Sequence, residues 1–162
     1  MDNGYVCCFT GHRYIDAVDA QRLSEVFDSA IEKLIDSGVR VFCAGGALGF
    51  DTYAALAIID KRKTHPFLRL HLYLPCKEQS QKWSERDKRI YSYILKEADE
   101  ITYTSENYTK GCMLHRNRCL VDNADFCLAY CKKTTGGTAY TLNYAKKKSI
   151  RTLNIAHMLE KA

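Results

Sequence analysis

A membrane-spanning helix needs about 20 consecutive apolar residues, and no apolar run in this 162-residue chain approaches that length. The amino terminus, MDNGYVCC, lacks the basic stretch and long apolar core of a secretory leader, so the expectation is a cytoplasmic protein with no membrane partner. The eight cysteines include no CxxC pair, and Cys7 and Cys8 are adjacent, which speaks against a zinc site, a redox dithiol or a disulfide scaffold. They read as reduced, buried thiols that behave as small hydrophobes. Cys112 and Cys119 fall seven apart on a predicted helix, but nothing nearby completes a metal set, and no metal is expected. The chain has no GK[ST] phosphate loop and no GxSxG nucleophile elbow. Low-complexity tracts, linkers and fixed-period repeats are also missing.

What remains is the profile of an ordinary globular protein. The length predicts one domain over 1–162, with enough chain to bury a core without covalent staples. Hydrophobic residues make up 46% of the chain, with charges interspersed. The net charge of +5 is unevenly spread: residues 1–81 carry 9 Lys+Arg against 10 Asp+Glu, and residues 82–162 carry 15 against 9. A basic second half is compatible with a phosphate-bearing ligand, and also with nucleic acid. A solvated face explains it equally well, and Lys146, Lys147 and Lys148 fit that explanation.

Short apolar runs alternate with helical patterns. YVCCF (5–9), VRVFCA (39–44), LRLHLYLP (68–75), EITYT (100–104), DFCLAYC (125–131) and IRTLNI (150–155) read as strands. Between them lie helical stretches at 19–38, 51–63, 84–98, 112–124 and 137–148. In the first of these, Leu23, Val26, Phe27, Ala30, Ile31, Leu34 and Ile35 recur at helical spacing and Gly38 supplies a stop. Asp51 or Thr52 is placed to cap the second helix, and Ser84 with Asp87 forms a variant capping box for the third. This alternation predicts an α/β fold: a three-layer, Rossmann-like, doubly wound and mostly parallel sheet. Ligands in that architecture bind beyond the carboxyl ends of the strands.

The strand exits therefore carry the functional reading. The first ends in Thr10-Gly11-His12-Arg13, the second in AGGALGFD (44–51) and the fifth in KKTTGGT (132–138). Each sets glycine ahead of a helix, the first and the fifth beside hydroxyl or basic residues, where free backbone N–H groups favour an anion. The second loop is not GxGxxG, because its glycines fall at Gly45, Gly46 and Gly49. His12, alone in a turn, reads more readily as a hydrogen-bonding residue than as a general base. Arg13 fits a bidentate phosphate contact or a surface ion pair. Arg116 and Arg118 flank Asn117, and on a helix they point different ways, so only one need face a site. Trp83 reads as packing more readily than as a stacking platform.

Four of these segments together, TGHR, AGGALGFDTYAA, RNR and TTGGTAYTLNYA, resemble the SLOG superfamily. That group gathers the DNA-processing protein DprA/Smf and the LOG phosphoribohydrolases, and the likeness is greatest to its small YpsA-like proteins. The resemblance runs from Val6 to Ile155. It implies a Rossmann-like fold with a nucleotide-type pocket, in which Gly11 and Arg13, then Gly46, Gly49 and Asp51, then Arg116, Asn117 and Arg118, then Gly136, Gly137 and Thr138 occupy the motif positions. Active LOG enzymes resemble the pattern PGGxGTxxE; here no proline precedes Gly136 and no carboxylate follows Thr138 until Glu160. The expectation is thus a binding or sensing domain for a nucleotide, ADP-ribose or NAD-like ligand, with no catalytic residue assigned. The alternatives are nucleoside-monophosphate phosphoribohydrolysis with Asp51 as substitute carboxylate, and single-stranded DNA binding of the DprA kind. A homodimer is left open. The expected ligand-binding set is Thr10, Gly11, His12, Arg13, Gly45, Gly46, Gly49, Asp51, Arg116, Asn117, Gly136, Gly137 and Thr138.

Overall fold

Alternating apolar runs and amphipathic stretches become alternating strands and helices. The computed structural model describes residues 4–160; residues 1–3 and 161–162, the ends of the unit expected over 1–162, lie outside the described residues. The order is β1 (Tyr5–Gly11), α1 (Ala17–Asp36), β2 (Val39–Ala44), α2 (Phe50–Lys61), β3 (Arg69–Leu74), α3 (Glu85–Glu97), β4 (Glu100–Tyr103), α4 (Cys112–Asp122), β5 (Phe126–Tyr130), α5 (Gly137–Lys147), β6 (Arg151–Asn154) and α6 (Ala156–Leu159). The strands form one sheet in the order β4-β3-β2-β1-β5-β6. All five pairings are parallel, so the sheet is wholly parallel where a mostly parallel one was expected.

Right-handed crossovers decide which face each helix covers. From β1 the chain steps outward to β4, then returns past β1 to place β5 on its other side. One core gathers Phe9, Phe42, Leu72 and Leu128 from alternate strand positions with residues of α1, α2, α3 and α6. The intervening positions Cys8, Cys43, Tyr73 and Cys127 pack with Leu120 and Val121 of α4 and Ala145 of α5. Side chains of a strand point alternately to the two faces, and both faces are covered, which accounts for the near-continuous apolar runs. Cys8 sits in register with Cys43 on one side and Cys127 on the other. All eight cysteines are unpaired, and seven are buried.

Four local differences from the sequence reading have identifiable causes. β1 runs on through Thr10 and Gly11, because Gly11 pairs with Tyr130 of β5. Helix α1 starts earlier than expected, because the Asp16 carboxylate accepts the Asp19 N–H at 3.0 Å. Neither Asp51 nor Thr52 caps α2; Gly49, at φ +81°, holds that position. Both side chains instead fold back onto Ala47, Asp51 accepting its N–H and Thr52 donating to its carbonyl. The short helix α6, unforeseen in the sequence, buries Ala156 and Leu159 against the α1 side of the core. Ser84 caps α3 by accepting the Asp87 N–H, which is one half of the expected capping box. Trp83 packs edge-on against Tyr91 at 5.1 Å between ring centroids. None of the described helices is long and apolar enough to cross a membrane.

Candidate functional site

Connections leave the neighbouring strands β1 and β5 in opposite directions. A crevice opens at such a switch point, outside the carboxyl ends of the strands. Here it is a cleft of about 740 Å³. One wall is the exit of β1, Thr10 to Tyr14, and the opposite wall is the loop from Lys132 to Thr138 leading into α5. Ala47 and Asp51 line it beside α2, and Met113, Leu114, Arg116 and Asn117 line it from α4.

The cleft is rich in unspent donors. Gly136 precedes α5 at φ +99°, a left-handed conformation suited to glycine, and no side chain caps that helix. Tyr140 N–H is taken by the Gly136 carbonyl, so the N–H groups ahead of it in the first turn are the open ones. A Cβ at Gly136 or Gly137 would meet nothing within 4 Å, so this loop is bare toward the cleft. The Arg13 guanidinium is exposed and makes no hydrogen bond or ion pair with the described residues. Lys132, by contrast, is committed: it bridges Asp16 at 2.6 Å and Asp19 at 3.0 Å. Those bonds push its ammonium pKa up and hold the Asp16 carboxyl down. Tyr130 donates its hydroxyl to the same Asp19, and burial pushes that phenol up to about 12.

His12 is a hinge between walls. Its Nε2 accepts the Lys132 N–H at 2.8 Å, and its carbonyl accepts the Phe50 N–H at 3.0 Å. Burial first, and then Lys133 and Lys132, lower its pKa, so the ring is neutral with Nδ1 protonated.

Arg116 and Asp51 form the buried polar floor. Arg116 is 3% exposed. Its guanidinium donates to the Gly45 carbonyl, to Asn117 Oδ1 at 2.8 Å and to Gln79 Oε1 at 3.5 Å. Asp51 is 7% exposed. Burial pushes its carboxyl up to about 6, against the opposing pull of Arg116, the Ala47 N–H and Arg13. Arg116 is itself lowered, by burial first. Arg118, its neighbour in the RNR segment, turns away to Tyr140 at 3.2 Å.

Ten of the thirteen expected residues line the cleft: Thr10, Gly11, His12, Arg13, Asp51, Arg116, Asn117, Gly136, Gly137 and Thr138. Gly45, Gly46 and Gly49 do not, and each has a packing role. A Cβ on Gly45 would strike the Arg116 guanidinium, one on Gly46 would strike Leu74, and one on Gly49 would lie 2.2 Å from the Arg13 carbonyl oxygen. Gly11 does face the cleft, but the room left by its missing side chain is filled by Phe50, 2.4 Å from a Cβ built there. The sequence reading omitted Phe9, Tyr14, Asp16, Ala47, Met113, Leu114, Tyr130, Lys132, Lys133 and Thr135 from the lining. For the last three the signal was present, since they belong to the same KKTTGGT exit.

A model of the family YpsA, described as the YspA SLOG family, matches residues 7–160. A UPF0398 protein of Halalkalibacterium halodurans is 33% identical over 129 residues, covering 78% of this chain and 68% of that one. The SPbeta prophage-derived protein YoqJ of Bacillus subtilis is 31% identical over 139 residues, covering 78% and 81%. Among solved structures, DNA processing protein A (DprA) of Streptococcus pneumoniae superposes with a TM-score of 0.67 at 18% identity. The match covers 91% of this chain and 49% of that protein, so this chain spans about half its length. DprA of Helicobacter pylori, described for its single-stranded DNA binding mode, gives 0.61 at 17% identity, covering 91% and 63%. At these identities the structural likeness establishes the fold.

Proposed function

The chain belongs to the YspA SLOG family, and on that footing we propose that its cleft binds a phosphate-bearing nucleotide derivative, such as a nucleotide, ADP-ribose or an NAD-like molecule. The observation that carries this reading is the pairing of an uncapped, glycine-bare start of α5 with the unpartnered guanidinium of Arg13 in one cleft. Backbone N–H groups at a helix start and a free guanidinium are complementary to phosphate oxygens. A cleft of about 740 Å³ falls within the range of small-molecule sites, about 300–1,000 Å³. Eight unpaired cysteines, seven of them buried, support a reducing, cytoplasmic setting.

Binding rather than turnover is the proposal, because no carboxylate follows the α5 glycines before Glu160. Calorimetry with AMP, ADP, ADP-ribose and NAD tests it. Saturable binding to wild type, weakened by Arg13→Ala, is the expected result; no binding across the panel would refute it. Release of free base from AMP at a substantial rate would replace it with phosphoribohydrolysis, for which Asp51 is the carboxylate at hand. Tight, salt-sensitive binding of a single-stranded oligonucleotide, with no nucleotide bound, would replace it with nucleic-acid recognition.

A further inference from the structure

Asp51 has two carboxylate oxygens and one bond. Its Oδ2 accepts the Ala47 N–H at 3.2 Å. Its Oδ1 has no hydrogen-bond partner among the described residues, although the side chain is more than nine-tenths buried. Among the described residues no fully buried side-chain oxygen or nitrogen lacks a partner. Asp51 Oδ1 is therefore not fully buried, and the residue lines the cleft. An acceptor held at the bottom of a cleft and satisfied by nothing in the protein calls for a donor on the ligand.

The surroundings narrow that donor. Arg116 from α4 and Arg13 from the β1 exit both act on the Asp51 carboxyl. A cationic ligand group beside Asp51 would also face these two guanidinium ions, so a neutral O–H or N–H is favoured. Resting on the nucleotide reading above, the phosphate lies at the α5 start and Arg13. The apolar side chains of the lining, Met113, Leu114 and the exposed ring of Tyr14, suit the face of a base. The sugar lies between phosphate and base, and its hydroxyls are the neutral donors left for a buried acceptor. We infer that Asp51 reads the ribose hydroxyls of the bound nucleotide and makes the cleft selective for ribo- over deoxyribonucleotides. The position also explains the loop behind it. Ala47 fixes one oxygen, Thr52 ties the Ala47 carbonyl at 2.9 Å, and Arg116 holds the Gly45 carbonyl, so the free edge points one way.

The test is equilibrium binding of AMP and 2′,3′-dideoxy-AMP to wild type, Asp51→Ala, Asp51→Asn and Arg13→Ala. A hydrogen bond to a charged acceptor is worth about 10- to 100-fold in affinity, so wild type should prefer AMP by about that factor. In Asp51→Ala the preference should collapse toward one. Asp51→Asn keeps an oxygen for Ala47, and it covers the case in which the alanine variant fails to fold. It should lose most of the preference, because an amide N–H replaces the free acceptor. Arg13→Ala should weaken both nucleotides alike and leave the ratio intact, which separates phosphate from sugar recognition. A wild-type ratio near one, or a ratio that survives Asp51→Ala, overturns the assignment while leaving nucleotide binding in place. A ratio near one together with loss of affinity on changing AMP to IMP would give the free edge to a base amine and overturn it equally. Wild type that binds neither nucleotide removes the nucleotide reading and this assignment with it.

Discussion

Asp51 should make the stability of the fold depend on pH in a direction opposite to that of most carboxylates. Burial raises its carboxyl from an ordinary 3.8 to about 6, although Arg116, the Ala47 N–H and Arg13 all favour the ionised form. An acid whose folded-state pKa lies above its unfolded value holds its proton more tightly when folded. Its stabilising contribution is complete below pH 3.8 and is lost as pH rises through about 6. The gap of about 2 pH units corresponds to about 3 kcal/mol, at 1.36 kcal/mol per unit. Asp51→Asn mimics the protonated form and cannot titrate, so it isolates this contribution. Every other titrating group is common to both proteins. Urea unfolding of the two, followed at intervals from pH 4 to 7.5, should show wild type losing about 3 kcal/mol relative to Asp51→Asn across that range. Parallel stability curves would refute the reasoning. So would wild type gaining on the variant as pH rises, since that would mean that Arg116 and Arg13 hold the carboxylate ionised despite its burial.

Four further outcomes are expected. Arg13→Ala should weaken nucleotide binding about 10- to 100-fold, at 1.4 kcal/mol per decade, with the urea midpoint unchanged, because its guanidinium holds no part of the described structure. Gly137→Val should abolish nucleotide binding, measured by calorimetry, while thermal unfolding shifts little, since the added side chain enters open space. Gly11→Ala should do the reverse, losing about 1–3 kcal/mol of stability by overpacking against Phe50, as read from urea unfolding. Under native conditions a thiol reagent such as dithionitrobenzoate should modify Cys119, the one half-buried cysteine, well before the other seven; rapid reaction of several thiols would contradict the packing described.

The β/α alternation was legible because parallel strands with both faces covered leave apolar runs that helices interrupt, and the exits of β1 and β5 could be named as cleft walls from that alone. The roles of individual glycines could not. Gly11 was read as space for a ligand, yet it is space for Phe50, and that contact is invisible until β1 and α2 are laid together. Gly45, Gly46 and Gly49 looked like a phosphate loop because glycine permits close approach of any group; here the groups approaching are Arg116, Leu74 and the Arg13 backbone. The RNR spacing meant that only one arginine of the pair need face a site, and only the packing of α4 against the β2 exit selects Arg116. Asp51 was read both as a cap and as a site residue. The first role fell to Gly49, and the second follows from its having one oxygen to spare. Lys132 lay within a quoted loop and was passed over because its partners, Asp16 and Asp19, sit far back in the chain.

The return of the chain past β1 also has a consequence for how the protein comes to exist. The walls of the cleft face each other only because β5 docks beside β1, and the two strands are separated by most of the sequence. No local segment carries both walls. A nascent chain that has made β1 to β4 holds one wall with a bare sheet edge beside it, at the middle of the future sheet. The site is thus completed by the longest loop closure among the described strands, a slow step for any chain, and a ligand that spans β1 and α5 would cross-link two segments made far apart in time.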